Sequence, residues 1–129
     1  MNVSGRASDG LSGLARLNRA TSVGFTALAW AFRNEEAFRL EVLGAIVLVP
    51  VGVWLGHGGA EKALLAAAVI QVMIVELLNT GIEVVVDRIS VERHALSGLA
   101  KDLGSAAVMI SLLLATVIWG CIILSRFIG

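Results

Sequence analysis

Charge is scarce in this chain: 16% of its 129 residues are Asp, Glu, Lys or Arg, against 57% hydrophobic, and the mean hydropathy is +0.88. A composition this apolar excludes an ordinary water-soluble domain, in which charged residues make up about 25%, and leaves a membrane protein. Cysteine is nearly absent too. Cys121 stands alone in an apolar run, so it has no internal disulfide partner and reads as a membrane-buried thiol. The one proline, Pro50, falls where a membrane helix tolerates it and reads as a kink. Net charge is missing as well: Lys+Arg and Asp+Glu number 10 each, so nothing points to a nucleic-acid partner. Residues 1–19 are polar and glycine-rich, without the apolar core or cleavage pattern of a secretory signal.

What the chain does have is three long apolar runs. They cover about 36–55 (most apolar from Leu40 to Leu55), 63–86 and 103–125, each close to the roughly 20 residues that cross a bilayer as a helix. The connections are short, "GHGGAEK" and "DRISVERHALSGLAKD". The prediction is an all-α integral membrane protein forming a single domain over 1–129, with three transmembrane helices. Ahead of them, over about 10–32, Leu14, Leu17, Val23, Phe25, Leu28 and Phe32 alternate with arginines and small polar residues. That pattern predicts an amphipathic helix lying on the membrane surface. Arg6, Arg16, Arg19, Arg33 and Arg39 precede or open the first span, and Arg88, Arg93 and Lys101 lie between the second and third, whereas the other side holds only Lys62 and Arg126. The bias puts the N-terminus in the cytoplasm and the C-terminus outside. Trp30, Trp54 and Trp119 read as interfacial anchors.

Against this background "IVELLNTGIEVVVDR", Ile74 to Arg88, is anomalous, because it sets acids into the second span. At about 100° per residue, Glu76, Asn79, Glu83 and Asp87 share one stripe with Thr80 beside it. Carboxylates at bilayer depth cost several kcal/mol unless paired, hydrated or protonated, so they face the bundle interior and serve a function. Interhelical hydrogen bonding alone is served as well by Ser, Asn or Gln. Two more charged clusters fall on the same side: Glu35, Glu36, Arg39 and Glu41 in "RNEEAFRLE", and Lys101 with Asp102 in "AKDLGSAA". Each alone is explained by a solvated face or a helix cap. Together they meet the needs of an anionic, metal-bearing ligand: carboxylates for a hard cation such as Mg²⁺, and basic groups for phosphate oxygens.

"GHGGAEK" is not a P-loop, since Glu61 stands where the second glycine belongs and Ala63 follows the lysine. A tight turn explains it, and His57 is a loop residue. The kinase glycine-rich loop, HRD and DFG patterns are also missing. A small oligomeric proton or cation conductor is the rival reading, because one intramembrane glutamate per subunit is a familiar device. Against it, the outer halves of all three spans are nearly bare of polar groups.

The segments "NEEAFRLE", "VELLNTGIEVVVDRIS" and "HALSGLAKDLGSAA" resemble the signatures of the small prokaryotic diacylglycerol kinases, over about Arg16 to the C-terminus. The resemblance implies a homotrimer in the bacterial inner membrane, with active sites between subunits at the cytoplasmic face, where Mg-ATP phosphorylates a lipid hydroxyl. It implies that Glu76 is the catalytic base and Asn79 its orienting neighbour, and that Glu35 and Glu83 hold Mg²⁺ with ATP. Glu92, Arg93, His94, Lys101 and Asp102 match nucleotide-contacting positions, and Arg16 a basic residue near both nucleotide and lipid. Trp30, Phe32, Arg39 and Ser105 match positions lining the lipid groove, which Glu76 completes. Two departures stand out: Gly81 replaces the usual alanine, and Gly24, Phe25 and Thr26 replace a more polar trio on the surface helix. Some members phosphorylate undecaprenol instead; "MIVELLNTGIEVVVDRIS" and "SGLAKDLGSAA" look more like the diacylglycerol branch.

Overall fold

The computed structural model describes residues 12–128, and over these the chain is all helical. Four helices follow one another: α1 (Gly13–Asn34), α2 (Glu36–Leu55), α3 (Gly58–Ile89) and α4 (Ala95–Ile128). The last three are long and apolar enough to cross a membrane. The first two residues of the expected 10–32 segment, and Arg6, lie outside the described residues. Ser12 starts α1 by accepting a hydrogen bond from the Ala15 amide at 3.3 Å, the usual way a serine occupies one free N–H of a first turn.

A single extended residue, Glu35, separates α1 from α2. The junction is held by Arg39, whose Nη1 donates to the carbonyl oxygens of Phe32 (3.0 Å) and Arg33 (3.4 Å). These are carbonyls that the end of α1 leaves without helical partners. Ala31 and Phe38 are buried across the corner.

The second and third apolar runs, 63–86 and 103–125, are the centres of longer helices. Helix α3 begins at Gly58, and Glu61 closes its first turn by accepting from the His57 amide at 2.7 Å. It runs on through Asp87 and Arg88, and α4 starts at Ala95, so much of the charged "DRISVERHALSGLAKD" connection is helix. Arginine, lysine, leucine and alanine are good helix formers, and only a capping turn ends the coil. That turn is built by Ser90, whose Oγ accepts from the Glu92 amide at 3.0 Å, and by His94, whose Nδ1 accepts from the Leu96 amide at 3.1 Å.

Helix α3 packs on both α2 and α4. Its buried positions, Leu65, Ala68, Val72, Glu76, Asn79, Thr80 and Val86, recur at helical spacing and form one face. On that face Leu65, Ala68 and Val72 lie toward the α2–α3 turn, the polar Glu76, Asn79 and Thr80 follow, and Val86 closes the face near the connection to α4. Trp119, read from sequence as an interfacial anchor, also ties α4 to α3: its Nε1 donates to the Leu65 carbonyl at 3.1 Å. Trp54 is exposed, under the Arg126 guanidinium at 5.9 Å, and Arg126 also donates to the Leu55 carbonyl, closing α4 onto the end of α2.

Gly52 lets α2 and α3 approach. A Cβ there would lie 2.9 Å from the Leu65 Cβ and 3.4 Å from the Trp119 ring. A Cβ on Leu65 cannot rotate aside, so Gly52→Ala is expected to destabilise the bundle by about 1–2 kcal/mol through overpacking, despite alanine's better helix propensity. A lower thermal midpoint in detergent micelles is the check; an unchanged midpoint refutes this account of Gly52.

Candidate functional site

Polar groups concentrate at the end of the bundle where α1 meets α2 and α3 meets α4. On α3, Glu76 is 6% exposed and Asn79 8%, with Thr80 also buried. The carboxylates of Glu83 and Glu35 lie within electrostatic reach of Glu76, and so does Glu41 of α2. Four acids from the α1–α2 junction, α2 and α3 therefore share one neighbourhood. Glu35 and Glu83 are half-buried, so both keep access to solvent. Among the described residues no three His, Cys, Asp or Glu side chains converge as a ready-made metal cage. Mg²⁺ is usually held by one or two carboxylates plus substrate phosphates, and Glu35 with Glu83 fits that smaller donor set.

Next to the acids lies an open depression of about 770 Å³, whose lining includes Asp87, Glu92, Arg93, His94, Lys101 and Asp102. Lys101 Nζ donates to Asp87 Oδ1 at 2.8 Å, joining the end of α3 to the start of α4. With 43% and 56% of their side chains exposed, the two are screened by solvent and add little to stability. Their value is placement: Lys101 is held at the rim and within electrostatic reach of Glu83. This lysine thus connects the depression to the acids.

The remaining sequence candidates are more dispersed. Trp30 and Phe32 are exposed near the end of α1, and Arg16 is exposed near its start. Trp30, Arg33 and Asn34 border a separate shallow depression of about 500 Å³. Arg39 is engaged with the end of α1, and Ser105 is exposed on α4 beside buried Gly104. Gln71 escapes sequence reading, as do the surroundings of two residues that the sequence does single out, Glu41 and Asn79. Gln71, one and a half turns from Glu76, donates to the Ser111 carbonyl at 2.7 Å and to that of Ala68 at 3.1 Å, so the outer half of α3 is less bare than its apolar run suggests. Glu41 lines a narrow apolar cavity of about 150 Å³ between α2, α3 and α4. Its Oε2 is buried without a hydrogen-bond partner, as is Asn79 Oδ1. Only the glutamine's presence in an apolar run could have marked the first; pairing and orphaning across helices leave no sequence signal.

Three membrane-length helices enclosing carboxylates, beside a charged open mouth, define a small helical membrane protein with a polar site at one end of its bundle. Comparison with known proteins makes this specific: a model of the prokaryotic diacylglycerol kinase family matches residues 22–123, and the chain belongs to that family. It is 46% identical to a diacylglycerol kinase of Haemophilus influenzae, over 87% of this chain and 95% of that protein. It is 47% identical to one of Pseudomonas aeruginosa, over 89% and 94%, and 42% identical to one of Escherichia coli K12, over 90% and 95%.

Proposed function

We propose that the protein is a lipid kinase that transfers the γ-phosphoryl group of Mg-ATP to the hydroxyl of diacylglycerol, giving phosphatidic acid and ADP. The observation that carries this reading is the buried Glu76 with Glu35 and Glu83 in reach, next to a depression containing Lys101 and Arg93. Glu76 is the base. Its carboxylate takes the hydroxyl proton, the lipid oxygen bonds to the γ-phosphorus, and the bond from that phosphorus to the β-bridging oxygen breaks. Phosphoryl transfer asks mainly for positioning and charge neutralisation, so a P-loop is dispensable. Glu35 and Glu83 hold Mg²⁺, which supplies neutralisation of the phosphate oxygens. Lys101 and Arg93 contact phosphates, while Glu92, His94 and Asp102 border the rest of the nucleotide. Arg16 lies toward both substrates.

Depth sorts the roles. A lipid hydroxyl just below headgroup level must meet a phosphate arriving from water, and at 1.5 Å per residue Glu76 lies about 10 Å deeper than Glu83, farther from the charged end of α3. Trp30, Phe32, Arg39 and Ser105 border the lipid, with α1 as an amphipathic helix on the cytoplasmic surface of the bacterial inner membrane and the C-terminus outside. The active unit is a homotrimer with sites shared between subunits. The exposed flank of α4 around Ser105 and the half-buried Glu35 and Glu83 suit completion by a neighbouring chain.

Purified protein in mixed micelles with Mg-ATP is expected to phosphorylate diacylglycerol faster than undecaprenol. Equal or faster turnover of undecaprenol reassigns the acceptor. No phosphorylated lipid from either, with dissipation of a proton gradient in liposomes, overturns the kinase reading in favour of a conductor. Sharing of sites has its own check. Glu76→Gln subunits mixed with Lys101→Ala subunits should recover partial activity, and no recovery at any ratio places each site within one chain.

A further inference from the structure

Asn79 and Gly104 meet where α3 and α4 approach at the level of the acids, and nothing in the proposed chemistry uses the glycine. Gly104 is buried inside α4, where glycine costs roughly 0.5–1 kcal/mol relative to alanine. At Gly24, Gly44, Gly81, Gly98 and Gly120, which also lie within helices, an added Cβ would meet nothing. At Gly104 it would fall on Asn79 Oδ1, with Asn79 Cγ 3.2 Å away. Unlike Gly52, whose neighbours are apolar, this glycine makes room for an amide.

The orientation of that amide follows. Asn79 Oδ1 is buried without an N–H or O–H partner, a situation that costs about 1–3 kcal/mol. What it touches is the glycine backbone, whose Cα–H is a weak donor. Turning the amide over would set two N–H donors against that same Cα–H, which is worse, since each needs an acceptor. With the oxygen parked on Gly104, the NH₂ group is the end left facing away from α4. Glu76 and Asn79 are three residues apart and share a helix face, so the Asn79 side chain lies on the same flank of α3 as the base.

We infer that Gly104 is a positioning residue: its missing side chain seats the Asn79 amide oxygen and thereby turns the amide N–H donors toward oxygen atoms of the reactants at Glu76. This rests on the reading that puts Asn79 beside the reacting centre. An added methyl group forces the Asn79 side chain to rotate, which misdirects the donors without touching the nucleotide depression.

The test is a double-mutant cycle on the purified full-length protein, read by kcat, KM for Mg-ATP and thermal midpoint. Gly104→Ala alone is expected to lower kcat roughly tenfold or more, with KM for Mg-ATP nearly unchanged and a lower midpoint. With Asn79→Ala present, Gly104→Ala should lower kcat no further and should raise the midpoint, since the space is open and alanine is the better helix former. Full turnover in Gly104→Ala, or the same proportional loss in both backgrounds, overturns the inference while leaving the kinase reading intact. Full turnover in Asn79→Ala removes Asn79 from the reacting centre and takes the inference with it. If Gly104→Ala alone does not fold, Asn79→Ser becomes the background, because serine is short enough to clear the added Cβ. Unchanged kcat on adding Gly104→Ala there supports the seat, and a tenfold fall overturns it.

Discussion

Glu76→Gln is expected to lower turnover by about 10²–10⁴-fold, the usual contribution of a general base, while Mg-ATP binds nearly as in the parent. Glutamine has almost the shape of glutamate, so the 6% exposed site of Glu76 keeps its packing and only the proton acceptor is removed. Because Glu76 lies outside the lining of the depression proposed to take the nucleotide, its loss is expected in the chemical step, as an equal fall in kcat and kcat/KM. The neutral amide also relieves the cost of burying a carboxylate next to the charges of Glu83 and Glu35. The variant should therefore melt no lower than the parent. Near-normal turnover refutes Glu76 as base; a severe loss of nucleotide affinity assigns it to the ATP site.

Glu83→Gln should behave differently. Glu83 is half-buried and within electrostatic reach of Lys101 at the rim of the depression, and the proposed function makes it a ligand of the metal ion carried in with ATP. Losing one of two carboxylates from such a donor set should raise the Mg-ATP concentration needed for half-maximal rate by roughly an order of magnitude or more, and slow turnover as well. Titration of rate against Mg-ATP, with direct nucleotide binding measured in parallel, reads the difference between the two glutamines. If Glu83→Gln lowers kcat with KM unchanged, the division between deep base and shallow metal ligand fails.

The stripe Glu76, Asn79, Glu83 is legible in the sequence because an α-helix has one dominant period. Once the run is a membrane helix, residues three and four apart must share a face, and acids on that face must be enclosed. The structure buries Glu76 and Asn79 while leaving Glu83 half-buried. Helix ends are less legible. Nothing about Asp87 or Arg88 stops a helix, so the end of α3 waits for Ser90, and the start of α4 for the His94 cap. A hydropathy profile registers neither.

Composition and periodicity by themselves determine that this is a membrane protein of three apolar helices, with most of its charges gathered at one end of the bundle and the acids of its second span on one helix face. These are local properties: each depends on residues a few positions apart and on the cost of placing charge in hydrocarbon. Tertiary structure alone decides what that face meets. It sets Asn79 over Gly104, pairs Lys101 with Asp87, turns Trp119 inward to Leu65 and leaves Glu41 beside an apolar cavity. The reason is that a helix's period says which residues point together but not how the helix is rotated or shifted against its neighbours. Those two quantities emerge from the packing of side chains 14 to 54 positions apart in the chain, and the hydrogen-bonding state of every buried polar group at the site depends on them.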